Sequence, residues 1–220
     1  MKSCNWNPSM TDMHYQDKQL ELDLLKELGN IGAGNAATAL SQLLNKDIYM
    51  NVPKAKIVSF NEMMELAGGP ERPVAAVFLT MEGEIAGSLF FVLSLEDATR
   101  LIQQLVEDDS LNKESLPQHE MALSALQELG NIVSAHYLTA LSEAIGLLVT
   151  PSVPQVSVDM VGAIVMAGLL EISHVSDNAI FIDTELSQTS DVTAEKIKGH
   201  FFLIPFPDSF DKILTELGAK

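Results

Sequence analysis

The stretch Glu27-Leu28-Gly29-Asn30-Ile31 returns in this chain as Glu128-Leu129-Gly130-Asn131-Ile132, so that 128 minus 27 gives an offset of 101 positions. Further matches at the same offset pair Thr38-Ala39-Leu40-Ser41 with Thr139-Ala140-Leu141-Ser142, and Val52-Pro53 with Val153-Pro154. Agreement at one offset over about thirty residues is the signature of a repeat. The sequence therefore predicts an internal duplication whose two copies are related by a pseudo-twofold axis.

The later part of each copy matches at a larger offset. Gly87 and Phe90 correspond to Gly199 and Phe202, which lie 112 positions further on. The second copy must then contain about 11 additional residues. We expect them to bulge between Pro154 and Gly199.

Hydrophobic periodicity gives the order of elements in each copy. Leu24, Leu25, Leu28 and Ile31 recur at helical spacing, which predicts a long amphipathic helix. Alternating apolar residues and turn signals then predict strands and shorter helices. The predicted helices are 19–44, 60–68, 94–106, 118–145, 158–171 and 207–218, and the predicted strands are 47–59, 73–81, 84–93, 147–157, 178–188 and 197–206.

These elements predict an α+β fold with a mostly antiparallel sheet flanked by the two long helices. We expect residues 1–17 to be a flexible tail and residues 18–106 to form the first repeat. A polar linker at 107–117 would lead into the second repeat at 118–220, and both repeats would form one compact domain.

A polar stripe lies on each long helix. On a helical wheel Asp23, Glu27 and Asn30 fall within about 60° of one another and away from the leucine stripe. Ser124, Glu128 and Asn131 occupy the same places in the second helix. We expect all six side chains to be accessible to solvent and the two stripes to form separate sites.

A polar stripe can also be an ordinary solvated helix face. Asparagine argues for a functional site, because it is a mediocre residue inside a helix and both copies nevertheless retain it beside glutamate. Gly29 and Gly130 are also costly within helices. They predict that another backbone comes close at these points, most simply that of the partner long helix.

Composition limits the possible functions. The formal net charge is -17, so the surface is a poor match for nucleic acid and for anionic lipid. No apolar run approaches the roughly 20 residues of a membrane span. The one cysteine, Cys4, leaves no disulfide, and the N-terminal residues do not look like a signal peptide. A cytoplasmic protein is therefore expected.

The sequence argues against three other types of site. Residues 32–37 satisfy G-x-G-x-x-A, but a dinucleotide fingerprint follows a strand and this segment has helical periodicity. The histidines show no metal-ligand spacing, so no metal site is expected. Ser124 has no histidine base nearby in sequence, which argues against a serine hydrolase.

The pattern Asp/Ser-x-x-x-Glu-x-x-Asn, followed by 22 residues and proline, resembles the signature of the CheC/CheX/FliY chemotaxis phosphatases. Both copies fit it, and two motifs in a chain of this length are most similar to CheC. Beyond the four catalytic candidates Glu27, Asn30, Glu128 and Asn131, the matching positions are Asp23, Pro53, Ser124 and Pro154.

The resemblance implies hydrolysis of the aspartyl phosphate of the response regulator CheY. In the family, asparagine positions the attacking water and glutamate docks the partner, while the Mg²⁺ belongs to that partner and no cofactor is needed in this chain. Binding of the deamidase CheD is also implied, through a second-repeat helix placed here at 158–170 and including Asp159. The alternative is a non-catalytic chemotaxis or flagellar-switch interaction module.

Overall fold

A computed structural model describes residues 10–106, 109–170, 178–188 and 196–218. The first repeat contains α1 (Met10–Leu44), β1 (Tyr49–Ser59), α2 (Phe60–Leu66), β2 (Pro73–Gly83), β3 (Gly87–Ser94) and α3 (Leu95–Val106). The second repeat contains α4 (Glu120–Ile145), β4 (Val149–Pro151), β5 (Gln155–Met160), α5 (Val161–Leu170), β6 (Asn178–Ser187), β7 (Ile197–Pro205) and α6 (Pro207–Gly218). A single 3₁₀ turn, Leu116–Gln118, precedes α4.

Several boundaries differ from the predicted ones. Helix α1 begins at Met10, so residues 10–17 of the predicted flexible tail are helical, while residues 1–9 lie outside the described residues. The predicted strand 147–157 is two strands, β4 and β5, and α5 begins only at Val161. Proline at 151 and 154 explains the break, because proline cannot donate a ladder hydrogen bond.

The predicted linker is anchored to the domain. Residues 107–108 lie outside the described residues, but Leu111 and Leu116 of the same segment are buried in the main core. Asn112 caps the turn that follows, accepting hydrogen bonds from the backbone of Glu114 and Ser115. The segment between the repeats is therefore a packed connection as far as it is described.

Within the described residues, seven strands form one sheet, and every strand pair is antiparallel. The order is β1-β6-β7-β3-β2-β4, and β5 also pairs with β2. The first strand of each repeat thus pairs with the other repeat: β1 lies beside β6, and β4 and β5 lie beside β2. The two repeats exchange strands across one continuous sheet.

The centre of the sheet shows the predicted pseudo-twofold symmetry. Strands β3 and β7 pair with Phe90 opposite Phe202, which are equivalent positions of the two repeats. A residue that pairs with its own counterpart lies on the symmetry axis. Three residues join β2 to β3, whereas nine join β6 to β7, so much of the insertion lies inside the predicted interval.

The two faces of the sheet carry different layers. The larger core lies under α1, α3, α4 and α6, and it contains Phe91, Leu126 and Phe201. A smaller core lies under the short helices α2 and α5 on the opposite face, around Phe90, Phe181 and Phe202. None of the helices in the described ranges is long and apolar enough to span a membrane.

The prediction for Gly29 and Gly130 is wrong in its details. A Cβ at Gly29 would lie 3.2 Å from the Val52 side chain, and one at Gly130 would lie 2.5 Å from Val77, so both glycines face the sheet. The close approach of the long helices occurs at Gly32, where a Cβ would lie 3.0 Å from the Cα of Tyr137.

Candidate functional site

Helices α1 and α4 pack against each other, and the side chains of their polar stripes are exposed except at Asn30, which turns towards the sheet. Leu25 is buried and Leu24 and Leu28 are partly buried against the core, as the leucine stripe predicts. Ile31 departs from that prediction, because its side chain is 47% exposed. The residue after Asn30 is therefore part of the accessible surface.

In the first site Asp23 and Glu27 are exposed, whereas Asn30 is half-buried. The Asn30 side chain links the helix to the sheet: its Oδ1 accepts a hydrogen bond from the backbone N–H of Val52 at 2.9 Å. Its Nδ2 donates to the carbonyl of Lys26 at 3.1 Å. One acceptor position and one donor hydrogen of the amide remain for another molecule.

In the second site Ser124, Glu128 and Asn131 are all exposed. No hydrogen bond holds the Asn131 side chain within the described part of the chain. The link from helix to sheet is made instead by Gln127, whose Nε2 donates to the carbonyl of Pro154 at 2.8 Å. The two sites therefore keep the same motif but fix the helix with different side chains.

The motif prolines lie next to or at the residues that accept or donate the hydrogen bonds of Asn30 and Gln127. Pro53 directly follows Val52, the residue bonded to Asn30, and its side chain is exposed. Pro154 accepts the Gln127 bond and is buried. The spacing of 22 residues between asparagine and proline thus brings the first strand of each repeat against its motif helix.

The two sites lie apart, as the sequence predicts. The first is tied to β1 at one edge of the sheet, and the second is tied to the residue before β5 at the other. Five strand spacings of about 4.8 Å separate β1 from β5, which amounts to about 24 Å. In both sites the motif glutamate is exposed.

The structure places Asp159 in β5, opposite Val74, and so corrects its assignment to the following helix. Its side chain is exposed, and Oδ1 accepts a hydrogen bond from the backbone of Met160 at 2.7 Å. Helix α5 follows directly and contains no charged residue. Its exposed positions include Met166, at 60%.

The glycine-rich stretch and the core tyrosine have structural surroundings. Residues 32–37, which satisfy the glycine-rich pattern, lie inside α1 and not between a strand and a helix. Among the described residues, no three His, Cys, Asp or Glu side chains converge as metal ligands. Burial raises the pKa of Tyr137 well above its usual range, although this hydroxyl meets Thr184 in the core and lies outside both motifs.

Two features of the sites were missed by sequence reasoning. The asymmetry of Asn30 and Asn131 depends on the bulge in β1 between Asn51 and Lys54, which brings the Val52 N–H to Asn30. The role of Gln127 was hidden because its counterpart at the 101-residue offset is Lys26. The one available signal was that long polar side chain, one residue before Glu128.

Comparison with known proteins agrees with this geometry. The pattern of the CheC-like family matches residues 20–57 and 121–158, the two helix–strand units that carry the motifs. A curated relative, the CheY-P phosphatase CheC of Bacillus subtilis (strain 168), is 45% identical over 203 residues, which cover 92% of this chain and 96% of the relative. The chain belongs to the CheC-like family.

Solved structures extend the CheC-like likeness to the fold. Thermotoga maritima FliY superposes with a TM-score of 0.70 at 21% identity, covering 91% of this chain and 96% of that one. The FliM middle domain from H. pylori gives a TM-score of 0.61 at 12% identity, covering 89% and 97%. At these identities the likeness concerns architecture alone.

Proposed function

We propose that this chain is a phosphatase that hydrolyses the aspartyl phosphate of the response regulator CheY. The observation that carries the proposal is the 45% identity to a CheY-P phosphatase over 92% of the chain, in a protein that presents glutamate and asparagine on both motif helices. The exposure of Glu27, Glu128 and Asn131 supports it, because a substrate that is itself a protein can be reached only from the surface.

Asn30 and Asn131 position the attacking water. The water oxygen forms a bond to phosphorus as the bond from phosphorus to the aspartyl oxygen breaks, giving inorganic phosphate, a free carboxylate and a proton. Such a reaction needs an oriented nucleophile more than covalent help. An amide can accept from and donate to one water, and each asparagine here has at least one donor and one acceptor position available.

Glu27 and Glu128 dock the partner. Each carboxylate lies one helical turn before its asparagine and is exposed. A carboxylate in that place can pair with a cation of the response regulator, and a charge-assisted bond of this kind fixes orientation as well as proximity. Asp23 and Ser124 extend the same stripe, while Pro53 and Pro154 mark the strand that supports each motif helix.

The proposal requires no metal or cofactor of this chain. Each site offers one motif glutamate, with Asp23 as a further carboxylate in the first, and these are too few for a dedicated Mg²⁺ cage. The cation that shields the phosphoryl group would be a Mg²⁺ held by the phosphorylated partner. Action on CheY also implies a cytoplasmic location.

A second partner, the deamidase CheD, is proposed at α5 and the end of β5. Support comes from two exposed methionines, Met160 next to the exposed carboxylate of Asp159 and Met166 in the following helix. Apolar surface rimmed by a polar group is typical of a protein interface.

Met166→Glu should abolish binding of purified CheD in calorimetry. Leu148→Glu, at an equally exposed leucine, should not abolish it. Equal binding of CheD by both variants would contradict this site.

The competing proposal is a non-catalytic interaction module of the chemotaxis or flagellar switch system. The fold shared with the FliM middle domain keeps it open, since a fold does not determine function. It does not explain why glutamate and asparagine are retained together in both repeats. Phosphate release from phosphorylated CheY, with and without this protein, separates the two proposals.

The decisive variant is Asn30→Ala combined with Asn131→Ala. It should reduce the acceleration of phosphate release to background, because neither site could orient water. Asn35→Ala provides the matched control, since Asn35 is an exposed asparagine of α1 outside the motif. Wild-type turnover by the double variant would overturn the water-positioning role, and no acceleration by the wild-type protein would overturn the phosphatase.

A further inference from the structure

A large apolar side chain precedes each motif on the surface. Leu20 in α1 is 54% exposed and Met121 in α4 is 66% exposed. They are counterparts at the same 101-residue offset as the motifs, three positions before Asp23 and Ser124. Both repeats therefore keep an accessible apolar residue at one place relative to the site.

These residues share a helix face with the motif glutamates. Seven positions separate Leu20 from Glu27, and Met121 from Glu128, which is nearly two full helical turns. The two side chains of each pair point within about 20° of each other and lie about 10 Å apart along the axis. A protein that covers this helix face at Glu27 therefore also lies close to Leu20.

We infer that Leu20 and Met121 are docking residues, which supply the apolar contact that the phosphorylated response regulator buries at each site. The inference rests on the proposed phosphatase function. The position of these residues next to the motif identifies the response regulator as the protein that covers them. A standard interface buries about 800 Å² on each partner, which corresponds to a disc of roughly 16 Å radius. A residue about 10 Å from the motif glutamate lies inside such a disc.

The motif and the docking residue have different tasks. Glutamate and asparagine orient the partner and the water, but exposed polar contacts add little net free energy because they replace contacts with solvent. Burying a leucine or methionine side chain removes apolar surface from water and favours association directly. Leu20 and Met121 therefore set how tightly the response regulator binds, and they do not touch the reacting atoms.

The test isolates one site at a time. In an Asn131→Ala background only the first site works, and Leu20→Ser should raise KM for phosphorylated CheY about tenfold while kcat stays unchanged. In an Asn30→Ala background, Met121→Ser should do the same at the second site. Leu20→Met and Met121→Leu exchange the residues of the two repeats and should restore the KM of the parent background.

Matched controls come from exposed leucines away from the motif surface. Leu43 is 53% exposed at the other end of α1 and points about 160° away from Glu27 around the helix. Leu148 is similarly exposed after α4. Leu43→Ser and Leu148→Ser should leave KM within twofold, and all variants should retain the melting temperature of their background.

The outcomes separate the inference from the function on which it rests. An unchanged KM in Leu20→Ser and Met121→Ser, or a fall in kcat at constant KM, overturns the docking role while the phosphatase stands. A shift from oligomer to monomer in sedimentation, with KM unchanged, assigns these residues to contact with a second copy and also overturns it. If wild-type protein releases no phosphate, both proposals fail together.

Discussion

Replacing Asn30 by alanine removes the two side-chain hydrogen bonds of Asn30, whereas the same change at Asn131 removes none within the described residues. The bond to Val52 matters most, because Val52 is 1% exposed and its N–H would lose its partner. An unsatisfied buried donor costs about 1–3 kcal/mol. Since Asn30 is half-buried and water can replace part of the contact, we expect about 1–2 kcal/mol for Asn30→Ala.

For a chain of 220 residues this loss lowers the melting temperature by about 2–8 °C. Asn131→Ala should change the free energy of unfolding by no more than about 0.5 kcal/mol, as is usual at exposed positions. Asn30→Asp keeps the oxygen that accepts from Val52, so it should be more stable than Asn30→Ala. Thermal unfolding by circular dichroism measures all three, and equal melting temperatures for the two alanine variants would refute the reasoning.

The rates of phosphate release by the single variants Asn30→Ala and Asn131→Ala should add up to the wild-type rate, since the two sites share no residue and are tied to different edges of the sheet. A single substitution that removes all turnover would show coupling or one working site. Gly130→Ala should destabilise the chain by about 1–3 kcal/mol in urea unfolding, because its Cβ would lie 2.5 Å from the Val77 side chain. Gly29→Ala should be near neutral, because its Cβ would lie 3.2 Å from Val52. Equal urea midpoints for the two variants would contradict this packing. Burial raises the pKa of Tyr137 in the folded protein. Its contribution to the free energy of unfolding should therefore be complete below a pH of about 10 and be lost as the pH rises further. Tyr137→Phe should make the free energy of unfolding less dependent on pH in this alkaline range, and the same dependence in both proteins would exclude this residue as the cause.

Local pattern was enough to predict most elements and both motifs. The leucine spacing of α1 reflects burial on one face, whereas the continuous apolar runs of β2 and β3 reflect burial on both faces of the sheet. Because the two repeats match, an element predicted in one repeat was also expected at the equivalent position of the other. Failures occurred where the halves differ, as in the split of β4 from β5 at Pro151 and Pro154.

Long-range pairing could not be predicted from these patterns. The alternation of a strand indicates which face is buried but does not specify the neighbouring strand, so the periodicity of β1 could not predict its pairing with β6. The glycines show the same limit: Gly29 and Gly130 signalled close contact correctly, but the contact is with Val52 and Val77 and not with a helix backbone. Similarly, Pro53 indicates an irregularity in β1, but it does not specify that the Val52 N–H at this bulge donates to Asn30.

The exchange of strands between the repeats has a consequence for how this chain can be divided. A polypeptide ending after α3 would carry β1 and the β2–β3 hairpin, but β6 would be missing beside β1 and β7 beside β3. A fragment beginning near α4 would have the reciprocal gaps. Neither half would contain a continuous sheet, yet each would bring the strands that the other lacks. A backbone cut between α3 and α4 should therefore yield two pieces that assemble only with one another, or each with a second copy of itself, so the covalent connection serves mainly to guarantee the stoichiometry of the pair.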